Sequence, residues 1–183
     1  RVRVAVSEAP TLWVEASPVE PLGMEPGTAT AITMPGSWRP DLFTAQHKTA
    51  SRAMWSWADR KAAEARVDAA LLLDDDGRMG EATTASVFVR TADGEILTAP
   101  VKGLLPGVGR EVMLEFIPGV RERAAERAEW TNATEVVLVS ALRGVVAVTS
   151  IDGRPVGDGR PGPVARGQHS AFTALVDQET RAS

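Results

Sequence analysis

The chain has no cysteine among its 183 residues. This excludes disulfides, thiolate metal sites and thiol nucleophiles together, and it fits a reducing compartment. Histidine is nearly absent as well: His47 and His169 are the only two, too few for most histidine metal clusters, so no metal is expected. No apolar run approaches the roughly 20 residues that span a bilayer, and nothing resembles a secretory leader. The expectation is a soluble, cytoplasmic protein with no membrane partner. The 20 basic side chains, set against 24 acidic ones for a net charge of -4, are scattered. They form no stripe able to neutralise a row of phosphates, so nucleic acid is not expected as a partner.

What is present suffices for one folded unit. With 44% hydrophobic residues the chain can bury a substantial core, yet it is too short for two domains of ordinary size. It opens on Arg1 and runs straight into the strand-like Arg1-Val2-Arg3-Val4-Ala5-Val6, so an upstream portion, and with it part of any active site, is expected to be missing.

Alternation predicts strands over residues 1–7 and 12–14, with a turn at Glu8-Ala9-Pro10, and over Thr28–Met34 before Pro35-Gly36. From Thr49 to about Arg66, Ala50, Met54, Trp57 and Ala58 recur at helical spacing among charged residues, which predicts an amphipathic helix. Ala69–Asp74 reads as a buried strand. The following Asp74-Asp75-Asp76-Gly77 is too short for a calcium loop and reads as an acidic turn. Ser86–Arg90 and Glu95–Ala99 flank the hairpin dipeptide Asp93-Gly94. A glycine- and proline-containing loop, Gly103 to Gly109, precedes a helix expected to start near Arg110, break at Pro118 and resume through Ala128. Glu135–Ser140 and Gly144–Ser150 are β-branched runs, followed by the Asp152-Gly153 turn, a Gly-rich loop to Pro163 and a closing helix. The class is α/β or α+β with a mixed or largely antiparallel sheet.

Three segments stand out in order: Gln46-His47-Lys48-Thr49-Ala50-Ser51-Arg52, then Gly80-Glu81-Ala82-Thr83-Thr84-Ala85-Ser86-Val87-Phe88, then Leu104-Leu105-Pro106-Gly107-Val108-Gly109-Arg110. Their sequence and spacing resemble the class IV aminotransferases, the fold type IV pyridoxal-phosphate enzymes that include branched-chain and D-amino-acid aminotransferases and 4-amino-4-deoxychorismate lyase. In that family a lysine heads a helix with an Asn-Tyr or Asn-Arg pair, and a glutamate opens a Glu-x-x-x-x-Asn segment. A Leu-x-Gly-x-x-Arg loop then follows a hairpin with Thr-x-Pro, matched here by Thr98-Ala99-Pro100. The resemblance covers nearly the whole chain. It implies a D-amino-acid-aminotransferase-like large domain over residues 1–183, with a mixed, barrel-like sheet, flanking helices and pyridoxal 5'-phosphate as cofactor.

The resemblance also implies roles. Lys48 would hold the cofactor as a Schiff base and act as general base, which needs a neutral amine; by itself, a lysine ahead of a helix is ordinarily a solvated side chain. Glu81 would keep the cofactor ring nitrogen protonated; the bland reading is a solvent-facing strand residue. Val108 and Gly109 would offer backbone N–H groups to the phosphate at a helix N-terminus; the alternative is an ordinary loop. Arg52, Ser86, Ser140 and Ala141 complete the expected cofactor-binding set. Ser51 and Ser86 stand where the family has asparagine, and Ala141 where many members have threonine, so the phosphate grip is expected to weaken or to shift to Thr83, Thr84 or Ser140. The resemblance implies that the phosphate-binding arginine belongs to a smaller N-terminal domain, expected to lie in the missing upstream portion.

The family resemblance implies a homodimer acting on a small amino- or keto-acid substrate. Arg52 gives a slight lean toward aminodeoxychorismate lyase, with branched-chain or D-amino-acid transamination as the alternative. A non-catalytic paralogue that has lost cofactor affinity is the reading from another class.

Overall fold

Alternating side chains, not helices, organise the centre of this molecule. The computed structural model describes residues 2–6, 11–18 and 22–182. An N-terminal hairpin pairs β1 (Val2–Val6) with β2 (Leu12–Ala16) in antiparallel register, Val4 opposite Val14. The turn expected at Glu8-Ala9-Pro10 lies outside the described residues.

The main sheet closes on itself. β3 (Gly27–Met34) runs parallel to β4 (Ala69–Leu73) on one side and to β10 (Gly144–Ile151) on the other. Antiparallel pairings then link β4 to β5 (Met79–Ala82), β5 to β6 (Ala85–Arg90), β6 to β9 (Glu135–Ser140) and β9 back to β10. Six strands therefore form a ring, the mixed barrel that the resemblance implied, and a closed ring leaves those strands no open edge. β7 (Ile96–Thr98), β8 (Arg121–Glu122) and β11 (Arg154–Pro155) extend it outside the ring.

Period-two alternation assigns the two faces. Ala29, Ala31, Ala69, Leu71, Leu73, Val87, Val89, Val136, Leu138, Val146 and Val148 form one cluster, which fills the barrel. The intervening residues face out and are covered by helices. Ala70 and Leu72 pack with Ala58 and Ala62 of α1 (Ala53–Glu64). Phe88, Val137, Val139, Val145 and Ala147 pack with Met113 of α2 (Val108–Phe116) and with Ala165 and Phe172 of α4 (Pro163–Ala182). Buried Glu135, at the start of β9, caps α4 from another element: its two carboxylate oxygens accept from Val164 N–H at 3.1 Å and Ala165 N–H at 3.0 Å.

Several expectations change. The helix begins at Ala53, not Thr49, and ends at Glu64. Its N-cap Arg52 has φ -121° and ψ 33°, outside the helical range, and makes no side-chain cap. Its buried face carries Ala58 and Ala62, whereas Met54 and Trp57 of the predicted stripe are 37% and 41% exposed. The helix after Gly107 does not resume beyond Pro118. Gly119 takes a left-handed φ of 78°, after which the chain forms β8, parallel to β7. A new short helix, α3 (Arg127–Thr131), starts from a reciprocal capping box between Glu126 and Glu129. β5 is an additional strand beyond those expected: Met-Gly-Glu-Ala has no β-branched residue.

Gly80 in β5 has a packing reason. A Cβ there would lie 2.4 Å from a ring carbon of Trp38, which is itself buried. Gly80→Ala is expected to cost about 2–3 kcal/mol, as overpacking in a filled core does. Urea unfolding would measure it, and a loss below about 0.5 kcal/mol would mean that the indole moves aside freely.

Candidate active site

One row of paired residues crosses the outer wall of the barrel. Leu72 of β4 pairs with Glu81 of β5, Glu81 with Ser86 of β6, Ser86 with Val139 of β9, and Val139 with Val145 of β10. Leu72 lies under α1, while Val139 and Val145 lie under α2 and α4. The two residues between these helix footprints, Glu81 and Ser86, are polar. The floor between α1 and the start of α2 is thus a carboxyl beside a small hydroxyl.

Glu81 is only 9% exposed, against the solvent-facing reading. Burial pushes its carboxyl up to about 7, opposed by a hydrogen bond from Trp55, by the charges of Arg52 and Lys48, and by a backbone hydrogen bond from Leu105. The Trp55 indole Nε1 donates to Glu81 Oε1 at 3.0 Å. A buried acid with its pKa raised toward neutrality and two cations acting on it is a candidate functional group.

Lys48 is exposed in the irregular segment between the 3-10 turn Phe43–Gln46 and α1. It precedes the helix by a full turn and does not head it, but its charge reaches Glu81. The Arg52 guanidinium donates to the Thr83 carbonyl at 2.5 Å and lies 5.1 Å from the centre of the Trp55 ring. It ties the start of α1 to the β5–β6 turn.

Across the floor stands the start of α2. The first N–H groups of this helix, those of Val108 and Gly109 among them, have no intrahelical acceptor, and its N-cap, Gly107, has no side chain to cap them. A Cβ on Gly107 would lie 3.0 Å from Ser86 Oγ, and one on Gly109 3.0 Å from Val139 Cγ1 and 3.6 Å from Ser140 Cα. Glycine at these places lets the helix end settle onto β6 and β9. Val108 is 67% exposed. Ser140 ends β9 beside this helix start, its hydroxyl accepting from Arg143 N–H at 3.2 Å, and Ala141 is exposed in the following turn.

Thr83, Thr84 and Ser140 instead line a cavity of about 50 Å³ at the barrel end, together with Asp59, Asp68 and Arg143. It has room for water, not for a heterocycle. Trp55 and Leu105 join the site without any expectation from sequence. A tryptophan in a helix and a loop amide carry no sequence mark of the carboxyl they meet; only Trp55 lying three residues after Arg52, a spacing that stacks side chains on a helix, hints at the pair.

Comparison with known proteins identifies the family of the chain. The chain is 35% identical over 126 residues to the D-alanine aminotransferase of Bacillus licheniformis, covering 66% of this chain and 44% of that protein. The branched-chain amino acid aminotransferase of Thermobaculum terrenum, solved in its PLP form, superposes with a TM-score of 0.79 at 23% identity, over 90% of this chain and 56% of that one. A fold IV transaminase of Curtobacterium pusillum matches with a TM-score of 0.75 at 24% identity, over 92% and 58% of the two chains. The chain spans about half the length of these relatives. The sequence model described as amino-transferase class IV matches residues 2–151, and the chain belongs to that family.

Proposed function

We propose that this chain is the larger, cofactor-binding domain of a pyridoxal-phosphate-dependent aminotransferase that moves an amino group between an amino acid and a keto acid. The observation that carries the reading is the outer floor of the barrel. There a buried carboxyl, two cations and an uncapped helix start converge between α1 and α2. The residues fit the cofactor: the gap at Gly107 and Gly109 is one that a Cβ would fill, and the open N–H groups of Val108 and Gly109 suit a phosphate. Bound there, pyridoxal phosphate would supply an electron sink for the bonds at the substrate Cα.

The chain's own residues have separable tasks. Lys48 Nζ would hold the cofactor covalently and, in its neutral form, would take and return the proton at the substrate Cα. Glu81 would face the ring nitrogen of the bound cofactor, where its ionised form would favour the protonated ring. Val108 and Gly109 would bind the phosphate through their N–H groups, with Ser86 beside them and the Ser140-Ala141 stretch following β9 at that end. Arg52 adds positive charge beside the carboxyl.

The reading extends to a homodimer in the cytoplasm, each active site completed by a smaller domain that supplies the phosphate-binding arginine. The half-length match to the relatives supports that division, and the lack of cysteine fits the compartment. Among the described residues no helix is long and apolar enough to cross a membrane. Transamination is preferred to the lyase reaction, because the lean toward the lyase rests on Arg52, and that guanidinium is engaged with Thr83 and Trp55.

The full-length purified protein is expected to turn yellow with pyridoxal phosphate, to bleach with borohydride with the label at Lys48, and to transfer amino groups between amino-acid and keto-acid pairs. Pyruvate release from aminodeoxychorismate without amino transfer would replace the transaminase reading with the lyase. A protein that takes up no cofactor would indicate a non-catalytic paralogue.

A further inference from the structure

We infer that Trp55 is a positioning residue for Glu81: its indole N–H fixes the carboxyl against the floor, and Arg52, packed over the same ring, fixes the indole. This rests on the reading that Glu81 faces the cofactor ring, and it names the residue that sets the angle and ionisation of that acid.

Three observations carry it. The hydrogen bond from Nε1 to Oε1 is 3.0 Å long and joins α1 to β5 across 26 residues of sequence. Trp55 is half-buried, packed against the cluster under α1 that contains Trp38, Ala58 and Leu72, so its ring has little freedom to swing. The Arg52 guanidinium carbon lies 5.1 Å from the ring centroid, within range for a cation over an aromatic face, and its terminal nitrogen is anchored on the Thr83 carbonyl. Thr83 immediately follows β5, so both ends of the Arg52–Trp55 pair grip the same strand end and can move Glu81 only together with it.

A donor aimed at a carboxylate oxygen stabilises the ionised form and fixes the rotation of the carboxyl. Without the indole N–H, the carboxyl is left with the Leu105 N–H and with solvent that barely reaches it. The charged groups acting on the carboxyl are Arg52 and Lys48, and its cross-strand neighbours Leu72 and Ser86 carry none. Trp55 is thus the neutral partner that holds the acid in place, while the two cations bias its charge.

The test compares Trp55→Phe, which keeps a ring for Arg52 but loses the donor, with wild type, in the full-length protein. In the apoprotein, the Glu81-linked step in unfolding stability against pH is expected to move up by about one unit, a tenfold rise in proton affinity. Trp55→Phe placed on Glu81→Gln should show no such step, which separates a titration effect from general loss of packing. An unmoved step in Trp55→Phe overturns the inference. A second readout isolates the cofactor reading: in reconstituted enzyme the visible band of bound pyridoxal phosphate should change its pH dependence in Trp55→Phe. If the apoprotein step moves while the bound-cofactor spectrum does not, Trp55 holds Glu81 but Glu81 does not face the ring, and the cofactor geometry fails instead.

Discussion

Glu81→Gln is expected to have two effects of opposite sign: a more stable apoprotein at pH 8 and an enzyme crippled by roughly 10²- to 10³-fold in kcat. The stability effect follows from linkage. Burial raises the Glu81 carboxyl from 4.5 to about 7, so the folded chain binds this proton more tightly than the unfolded one. The stabilising contribution is fully present below pH 4.5 and is lost as pH rises through about 7. At pH 8 the ionised carboxyl is buried at a cost of about 3 kcal/mol, which a neutral amide of the same shape avoids while still accepting from Trp55. Denaturant unfolding of both proteins at pH 4 and pH 8 measures this. The difference should be near zero at the lower pH and favour the variant at the higher. Equal stability at pH 8 would show that Glu81 titrates as an ordinary surface acid. Under the proposed function the loss of activity comes from the same charge: a neutral amide facing the ring nitrogen would no longer favour its protonated form. An acid retained at a stability cost is what a functional carboxyl should look like.

Lys48→Ala is expected to lower kcat by about 10⁴-fold or more, because under the proposed function it removes both the covalent attachment and the proton carrier at Cα. Stability should stay within about 0.5 kcal/mol of wild type, since Lys48 is exposed and lies in an irregular segment. Borohydride should no longer fix cofactor to the chain. Removing this cation should also raise the Glu81 carboxyl, because the Lys48 charge is one of the causes holding it down. The step in the stability-against-pH curve should therefore shift upward. Activity surviving in Lys48→Ala would dismiss the residue from the chemistry. An unmoved step would mean that the two charges are too far apart to share one cleft.

Much of the fold is legible in the residue pattern, for identifiable reasons. The runs at Thr28–Met34, Ala69–Asp74, Ser86–Arg90, Glu135–Ser140 and Gly144–Ser150 form strands within a residue or two of expectation, because β-branched and apolar side chains buried on both faces leave few alternatives. β5 is hidden in the sequence because Gly80 gains its place from the Trp38 ring packed on it, a contact between residues 42 apart in the chain. The stretch after Pro118 departs from the expected helix because the helical pattern there competes with pairing to β7, which no local signal announces. α1 starts four residues later than its spacing suggests: Thr49 and Ala50 suit the helical period, but nothing packs over them, and both are exposed.

For the site the division is similar. Order and spacing along the chain carry the resemblance that names Lys48, Glu81, Ser86, Val108, Gly109 and Ser140 as candidates, and the strand ladder makes Glu81 and Ser86 neighbours. That Glu81 is buried, that Trp55 and Leu105 hold its carboxyl, and that Arg52 turns onto Thr83 and the Trp55 ring are decided only when the barrel closes and α1 docks on its wall. Burial and hydrogen-bond partners are properties of three-dimensional proximity, and a linear pattern contains the side chains but not the distances between them.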